Sequence, residues 1–363
     1  MTPSEIARLR LGAQRVSAPR FQRPDEVVSW LGAVQAQDYL GALWAVGLRM
    51  ESAREADVER ALAEGTIVRT WPMRGTLHFV ASADARWMVE LLAPRRISGA
   101  ASRFRQLGLD DATFTKARRV LEKRLATGPV SRPRVYEALE EARIGAAGQR
   151  GLHILWRLAH ETLICFGPRE GKQPTFVLFD AWLPGAKGLP RDEALATLAV
   201  RYFRGHGPAT EADFAWWSGL PRKDVRSAIA AAGRSLRKET MRGKELWLDA
   251  RVTAPRSADE PAVLLPAFDE LLVAFADRSA MIDPKRYRSV NAGGGILKPV
   301  MVVGHRVVGT WQRRLARGRV RFAPSPFGPL DKPTRAAVTA AFARYAAFLG
   351  LDAEVGRGAG RTR

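Results

Sequence analysis

Along the first part of the chain, apolar residues recur every three or four positions in EIARLRLGAQRV, PDEVVSWLGAVQ and EADVERALAEG, the spacing that gives a helix one apolar stripe. The period then changes. TIVRTWPMRGTLHFV predicts two strands around a turn near Pro72–Gly75. Helices closed by a hairpin follow the order of a winged helix. The same grammar returns in TFTKARRVLEKRL, GPVSRPRVYEALEEA and QRGLHILWRLAHETLICFGPREGKQPTFVLF. It returns again in EALATLAVRYFRGHGPATEADFAWWSGLPRKDVRSAIAA, closed by LRKETMRGKELWLD. In both later copies Gly-Pro ends a long helix, and Ser131 or Thr210 stands where it can cap the next one. Such matches in a fixed order predict a tandem array.

From about residue 260 the pattern differs. PAVLLPAFDELLVAF, GILKPVMVVGHRVVGTWQRR and RVRFAPS predict strands, and PTRAAVTAAFARYAAFLG predicts a closing amphipathic helix. The expected fold class is α+β. Three tandem winged-helix domains cover 1–105, 106–188 and 189–258, a β-rich basic C-terminal domain covers 259–350, and 351–363 is a disordered Gly/Arg-rich tail.

One short stretch resists the pattern. In VQAQDY, Gln35 and Gln37 sit inside an apolar run. On a helix, residues two apart point roughly 200° away from each other. They share a side only where the backbone is extended or a helix ends. Taken alone, the pair reads as two amides that cap a helix end or bond backbone within a core.

Charge changes the picture. The 363 residues carry 58 basic and 37 acidic side chains, a net charge of +21, and after residue 260 there are 17 basic against 7 acidic. Such a field attracts polyanions, nucleic acid above all, although arginine-rich codon usage also raises the basic count. Candidate phosphate contacts are Arg69 and Arg74 on either side of the first hairpin turn. Arg132 and Arg134 open a helix whose dipole favours phosphate. Lys285, Arg286 and Arg288 precede the glycine-rich turn Asn291–Gly295, which is slim enough to enter a groove.

Other signals point to little chemistry. Cys165, the single cysteine, lies in the apolar run LICFG and reads as a buried thiol. His153 and His160 share a helix face without a third ligand and read as core-edge histidines, so no metal is expected. NAGGGILK lacks the spacing of a P-loop, and no cofactor is expected. No signal-like or membrane-spanning apolar segment is present, which predicts a cytoplasmic, nucleoid-associated protein without membrane partners, acting as a monomer.

The Gln-apolar-Gln motif after an amphipathic helix, WPMRGTLHFV, the tandem winged helices and the basic β-rich C-terminal domain together resemble the AlkZ/YcaQ family of bacterial DNA glycosylases, over roughly residues 1–350. The resemblance implies that Gln35 and Gln37 are catalytic, with Ala36 between them. Glutamine rather than aspartate at the second position places the chain nearer the AlkZ-like branch. Members of that branch include self-resistance proteins that remove bulky alkylguanines and unhook interstrand crosslinks. The implied activity is monofunctional cleavage of the N-glycosidic bond of cationic N7-alkylated purines in double-stranded DNA. An amide is a negligible base, so such a pair suits a leaving group that is already cationic. The competing expectation is a non-catalytic winged-helix DNA-binding protein, a regulator or damage-sequestering factor. RNA binding is disfavoured, because no aromatic RNA-binding signature is present.

Overall fold

The computed structural model describes residues 1–17, 20–241, 243–252, 262–293 and 295–356. It opens with α1 (Pro3–Ala13), started by a capping box in which Thr2 and Glu5 satisfy each other's backbone N–H groups. A first unit follows: α2 (Pro24–Leu31), β1 (Val34–Gln35), α3 (Tyr39–Gly47), α4 (Glu55–Ala63), β2 (Ile67–Met73) and β3 (Thr76–Ala81), in a sheet ordered β1-β3-β2. Helices α5 (Ser82–Gly99) and α6 (Ala101–Gln106) lead to a second unit. This runs through α7 (Asp111–Leu125), β4 (Val130–Ser131), α8 (Arg132–Glu141), α9 (Arg150–His160), β5 (Ile164–Phe166) and β6 (Thr175–Leu178), with the sheet order β4-β6-β5.

The short α10 (Phe179–Trp182) joins it to a third unit, α11 (Arg191–His206), α12 (Glu211–Ser218), α13 (Arg222–Ala232), β7 (Leu236–Met241) and β8 (Lys244–Asp249). In place of a first strand, Ala209 forms a single antiparallel bridge to Trp247 on β8. The three units therefore share one connectivity: helix, short extended segment, two helices, hairpin. Thr210 caps α12 through a box with Asp213, whereas Ser131 stands at the corresponding position of α8 without a side-chain capping bond.

The C-terminal part comprises β9 (Val263–Leu265), α14 (Glu270–Val273), α15 (Tyr287–Val290), β10 (Asn291–Gly293), β11 (Ile296–Leu297), β12 (Val300–Val303), β13 (Arg306–Ala316), β14 (Arg319–Pro326), α16 (Lys332–Leu349) and β15 (Asp352–Val355). Its main sheet is ordered β15-β14-β13-β12-β9, antiparallel except for the parallel pair β14–β15. Two expectations change here. PAVLLPAFDELLVAF is a strand only over Val263–Leu265, because Phe268 takes a left-handed φ of +62° and Asp269 then caps α14 by accepting from the Leu271 N–H at 2.9 Å. Residues 352–355 are not a disordered tail. Gly350, at φ +66°, turns the chain at the end of α16 and lets β15 add to the sheet edge. Residues 357–363 lie outside the described residues.

Three apolar cores cross the boundaries read from the sequence. The first joins α1–α4 to the C-terminal sheet and α16. Trp44 of α3 packs 4.7 Å from Tyr345 and 5.1 Å from Phe348, ring centroid to centroid, and donates its indole N–H to the Leu264 carbonyl at 2.7 Å. At Gly47 a Cβ would lie 2.3 Å from the Phe348 ring, so this approach of α3 to α16 requires glycine. The second core joins β2, β3 and α5 to the third unit. The third core fills the second unit and takes in Trp71 and Leu77 from the first hairpin. The β2–β3 hairpin thus touches every core, and β1 lies along its edge. Among the described residues, no helix is long and apolar enough to cross a membrane.

Candidate active site

Strand β1 answers the puzzle of VQAQDY. The backbone is extended, Val34 opposite Phe79 and Gln35 opposite His78, and the Ala36 N–H continues the pairing to the Leu77 carbonyl at 2.7 Å. Asp38 then ends the strand by capping α3 through the Gly41 N–H. Alternation sends Val34 and Ala36 into the core and puts Gln35 and Gln37 together on the other face. Gln35 is buried and Gln37 is exposed.

Both amide oxygens are held by groups that can only donate. Gln35 Oε1 accepts from Arg74 Nη2 at 3.0 Å, and Gln37 Oε1 accepts from the Leu77 N–H at 3.3 Å. A guanidinium and a backbone N–H have no acceptor, so the atoms facing them must be the oxygens. Each carbonyl keeps a second lone pair.

Arg74 reaches Gln35 from a strained position. It occupies the first place of the two-residue β2–β3 turn at φ +54°, followed by Gly75 at φ +72°. Left-handed backbone brings Cβ close to the following carbonyl oxygen, and here the Arg74 Nη2 is engaged by two partners. It also contacts His78 Nε2 at 3.2 Å, while His78 Nδ1 faces the Thr76 carbonyl at 3.0 Å. The carbonyl requires a proton on Nδ1, which leaves Nε2 as acceptor for Arg74. Burial, reinforced by the Arg74 charge, pushes His78 down to about 3, so the ring is neutral.

Beneath the pair lies a carboxylate that no motif announces. Glu270, wholly buried, accepts the Gln35 backbone N–H on Oε1 at 2.8 Å and the Trp217 indole N–H on Oε2 at 2.9 Å, with His206 Nε2 at 3.6 Å. Burial alone would push its carboxyl up; the neighbouring His206 and the Arg74 charge outweigh burial and bring it below the usual value. Its neighbour Asp269 pairs with Arg49 of the first unit. The strained turn at Phe268 therefore aims two adjacent acids, one at the frame of the first unit and one at the strand carrying the glutamines.

The arginines proposed from the sequence fall into two groups. Arg69 and Arg74, expected to touch phosphate, are half-buried and already engaged. Arg69 donates to the Ala36 carbonyl through Nη2 at 2.8 Å and lies over the rings of Tyr39 and Phe166, 5.3 and 5.1 Å from their centroids. Burial pushes its guanidinium down to about 10. Arg132 and Arg134 are exposed at the start of α8, and Lys285, Arg286 and Arg288 are exposed before the β10–β11 hairpin. The hairpin has Gly293 and Gly295 at positive φ and exposes Ile296.

A groove of about 830 Å³ opens where the first unit, the second hairpin and the tip of β13 converge, lined by Tyr39, Glu59, Arg69, Phe166, Arg169 and Leu315 among others. Cys165 is buried, and burial pushes its thiol up; His160 is buried against Trp156, 3.8 Å between ring centroids. Among the described residues, no cluster of three His, Cys, Asp or Glu is placed to hold a metal.

Glu270, Asp269, Arg49, His78, His206 and Trp217 escaped the sequence reading. AFDELLVAF carried a usable signal, two acids inside an apolar run, the same kind of interruption that marked the glutamines.

Comparison with known proteins gives matches of three kinds. The family model "DNA glycosylase AlkZ-like" matches residues 28–348. A Streptomyces sahachiroi protein named "Interstrand DNA cross-link repair glycosylase" is 28% identical over 314 residues, covering 81% of this chain and 83% of that protein. The solved structure of the Streptomyces sahachiroi DNA glycosylase AlkZ superposes with a TM-score of 0.80 at 23% identity, covering 98% of this chain and 100% of that one, a likeness of fold.

Proposed function

The chain belongs to the AlkZ-like family of DNA glycosylases, and from that premise we propose that Gln35 and Gln37 carry the hydrolysis of N7-alkylated purines in double-stranded DNA. The observation that carries this reading is the pair of amides at and just past the end of β1, each with its oxygen held by a donor-only partner.

The chemistry fits neutral side chains. An N7-alkylpurine is cationic, so when its C1′–N9 bond breaks the electron pair returns to the base, which leaves neutral. The positive charge passes to the sugar as an oxocarbenium ion. Water adds at C1′ and gives its proton to solvent after the bond has formed. No strong base is needed; what is needed is a water in line and partial negative charge near the sugar. The second lone pair of each amide oxygen supplies both.

The shared connectivity of the three units supports reading each as a winged helix, with exposed Arg132, Arg134, Lys285, Arg286 and Arg288 as phosphate contacts and the β10–β11 hairpin entering a groove. Arg69 and Arg74 instead hold the glutamine strand. The solvent-facing Gln37 suits an open site in which a bulky or crosslinked base is cleaved without entering a closed pocket, in line with the name of the Streptomyces relative. The enzyme acts as a monomer.

The test is release of N7-methylguanine from duplex DNA by wild type, Gln35→Ala and Gln37→Ala, with DNA affinity measured alongside. Release lost in both variants with affinity retained is expected. Wild-type rates in the variants would remove the glutamines from the chemistry.

A further inference from the structure

Gln35 is held between opposite charges. Its backbone N–H meets the Glu270 carboxylate at 2.8 Å, and its side-chain oxygen meets the Arg74 guanidinium at 3.0 Å. The cation reaches Gln35 from the β2–β3 turn and the anion from α14, elements nearly 200 residues apart in the chain.

An arginine is an odd orienter for this reaction. Its five N–H donors fix an amide oxygen well, but its permanent charge lies beside a sugar on which positive charge must develop. Unanswered, that charge would oppose the transition state it helps to arrange. Glu270 and Arg74 meet on the same residue, Gln35; burial pushes the guanidinium down, and the Glu270 charge is the main effect opposing it. His78, the other Arg74 partner, is neutral and brings no compensation.

We infer that Glu270 is a positioning residue of the glycosylase reaction, anchoring the Gln35 main chain and cancelling the Arg74 charge so that Arg74 can orient the Gln35 amide without repelling the oxocarbenium ion. Glu270 does not touch the substrate; it acts through Gln35 and Arg74. The anchoring comes from geometry, since its two oxygens tie β1 to Trp217 of the third unit. The cancellation comes from charge, and the two contributions separate experimentally.

The inference rests on the catalytic reading of Gln35. The experiment is a double-mutant cycle on the full chain with Glu270→Gln, Arg74→Gln and the double variant, read by single-turnover N7-methylguanine release, duplex-DNA affinity and thermal melting, with Gln35→Ala in parallel. Glu270→Gln leaves Arg74 uncompensated and is expected to slow the chemical step roughly ten- to a hundredfold, with DNA affinity within about twofold of wild type. In the double variant the offending charge is gone, so its rate should rise above that of Glu270→Gln even though it carries one more substitution. A purely structural Glu270 would give the opposite order, each change adding its own loss.

Melting supplies the same cycle where turnover cannot be read. If Glu270→Gln alone does not fold, the double variant should regain a cooperative transition, because the Arg74 guanidinium is no longer buried without its counter-ion. A wild-type rate in Glu270→Gln, or a double variant no faster and no more stable than Glu270→Gln, overturns the inference. Undiminished release by Gln35→Ala would overturn the reading beneath it instead, and the two failures are told apart by that variant.

Discussion

Arg49 and Asp269 face each other through two hydrogen bonds of 2.9 Å, and neither side chain is touched by solvent. Arg49 uses all five of its N–H groups. Beyond the carboxylate it donates to the Ala45 carbonyl, the Gln14 carbonyl and Gln14 Oε1. The pair thus fastens α1, α3 and the turn leading into Glu270 at one point. Breaking one side leaves a charge buried without its counter-ion. Asp269→Asn or Arg49→Met should each cost about 3–5 kcal/mol in denaturant unfolding. A loss below about 1 kcal/mol would mean that water reaches this pair in solution.

Two buried histidines make stability depend on acid. Burial and the Arg74 charge hold His78 at about 3, and burial holds His160 at about 4, both below the ordinary value. The unfolded chain therefore binds more protons than the folded one between these values and about 6.5, so stability falls as pH falls through that window. Above it the contribution is complete. For His78, the loss between pH 7 and pH 5 is roughly 2 kcal/mol. Unfolding curves at the two pH values should differ accordingly, and His78→Gln should narrow the difference. An unchanged difference would show that His78 protonates without cost.

The basic residues should divide by role. Arg132→Ala, Arg134→Ala, Arg286→Ala and Arg288→Ala should each weaken duplex binding and reduce the salt slope by about one. Arg69→Lys keeps the charge but loses the planar contact with the Ala36 carbonyl and the two rings. It should slow base release while leaving the salt slope alone. The reverse pattern would make Arg69 a phosphate contact after all.

Leaving-group charge sets the substrate range. Uracil and hypoxanthine are poor leaving groups without protonation or a strong base, and neither amide provides these. Assays on duplexes carrying either base should give no release under conditions that empty N7-methylguanine sites. Efficient uracil release would show that a group other than the two amides acts as a base.

Much of this protein follows from local pattern. The helical stripes of EIARLRLGAQRV and PDEVVSWLGAVQ, the hairpin around Arg74–Gly75, the repeated Gly-Pro before α8 and α12, and the closing helix α16 are all legible, because short-range periodicity and turn chemistry decide them. The glutamine pair was visible for the same reason, as polar residues interrupting an apolar run. Helix α3 was not visible: YLGALWAVG is apolar all round, being buried between the first unit and α16, and so shows no stripe.

Nor could the chain alone say which arginines face solvent and which face Gln35, since exposure depends on what packs against them. Arg69 and Arg132 look alike in sequence. One is covered by Tyr39 and Phe166, and the other is open to water. Glu270 is the clearest case. Its meeting with Gln35 spans 235 positions, and nothing local encodes it. Most elements and the two amides were legible from the chain alone, because those depend on neighbours a few residues away. The tertiary structure decided the charges around the amides, because burial and long-range contact alone fix which ion a side chain meets.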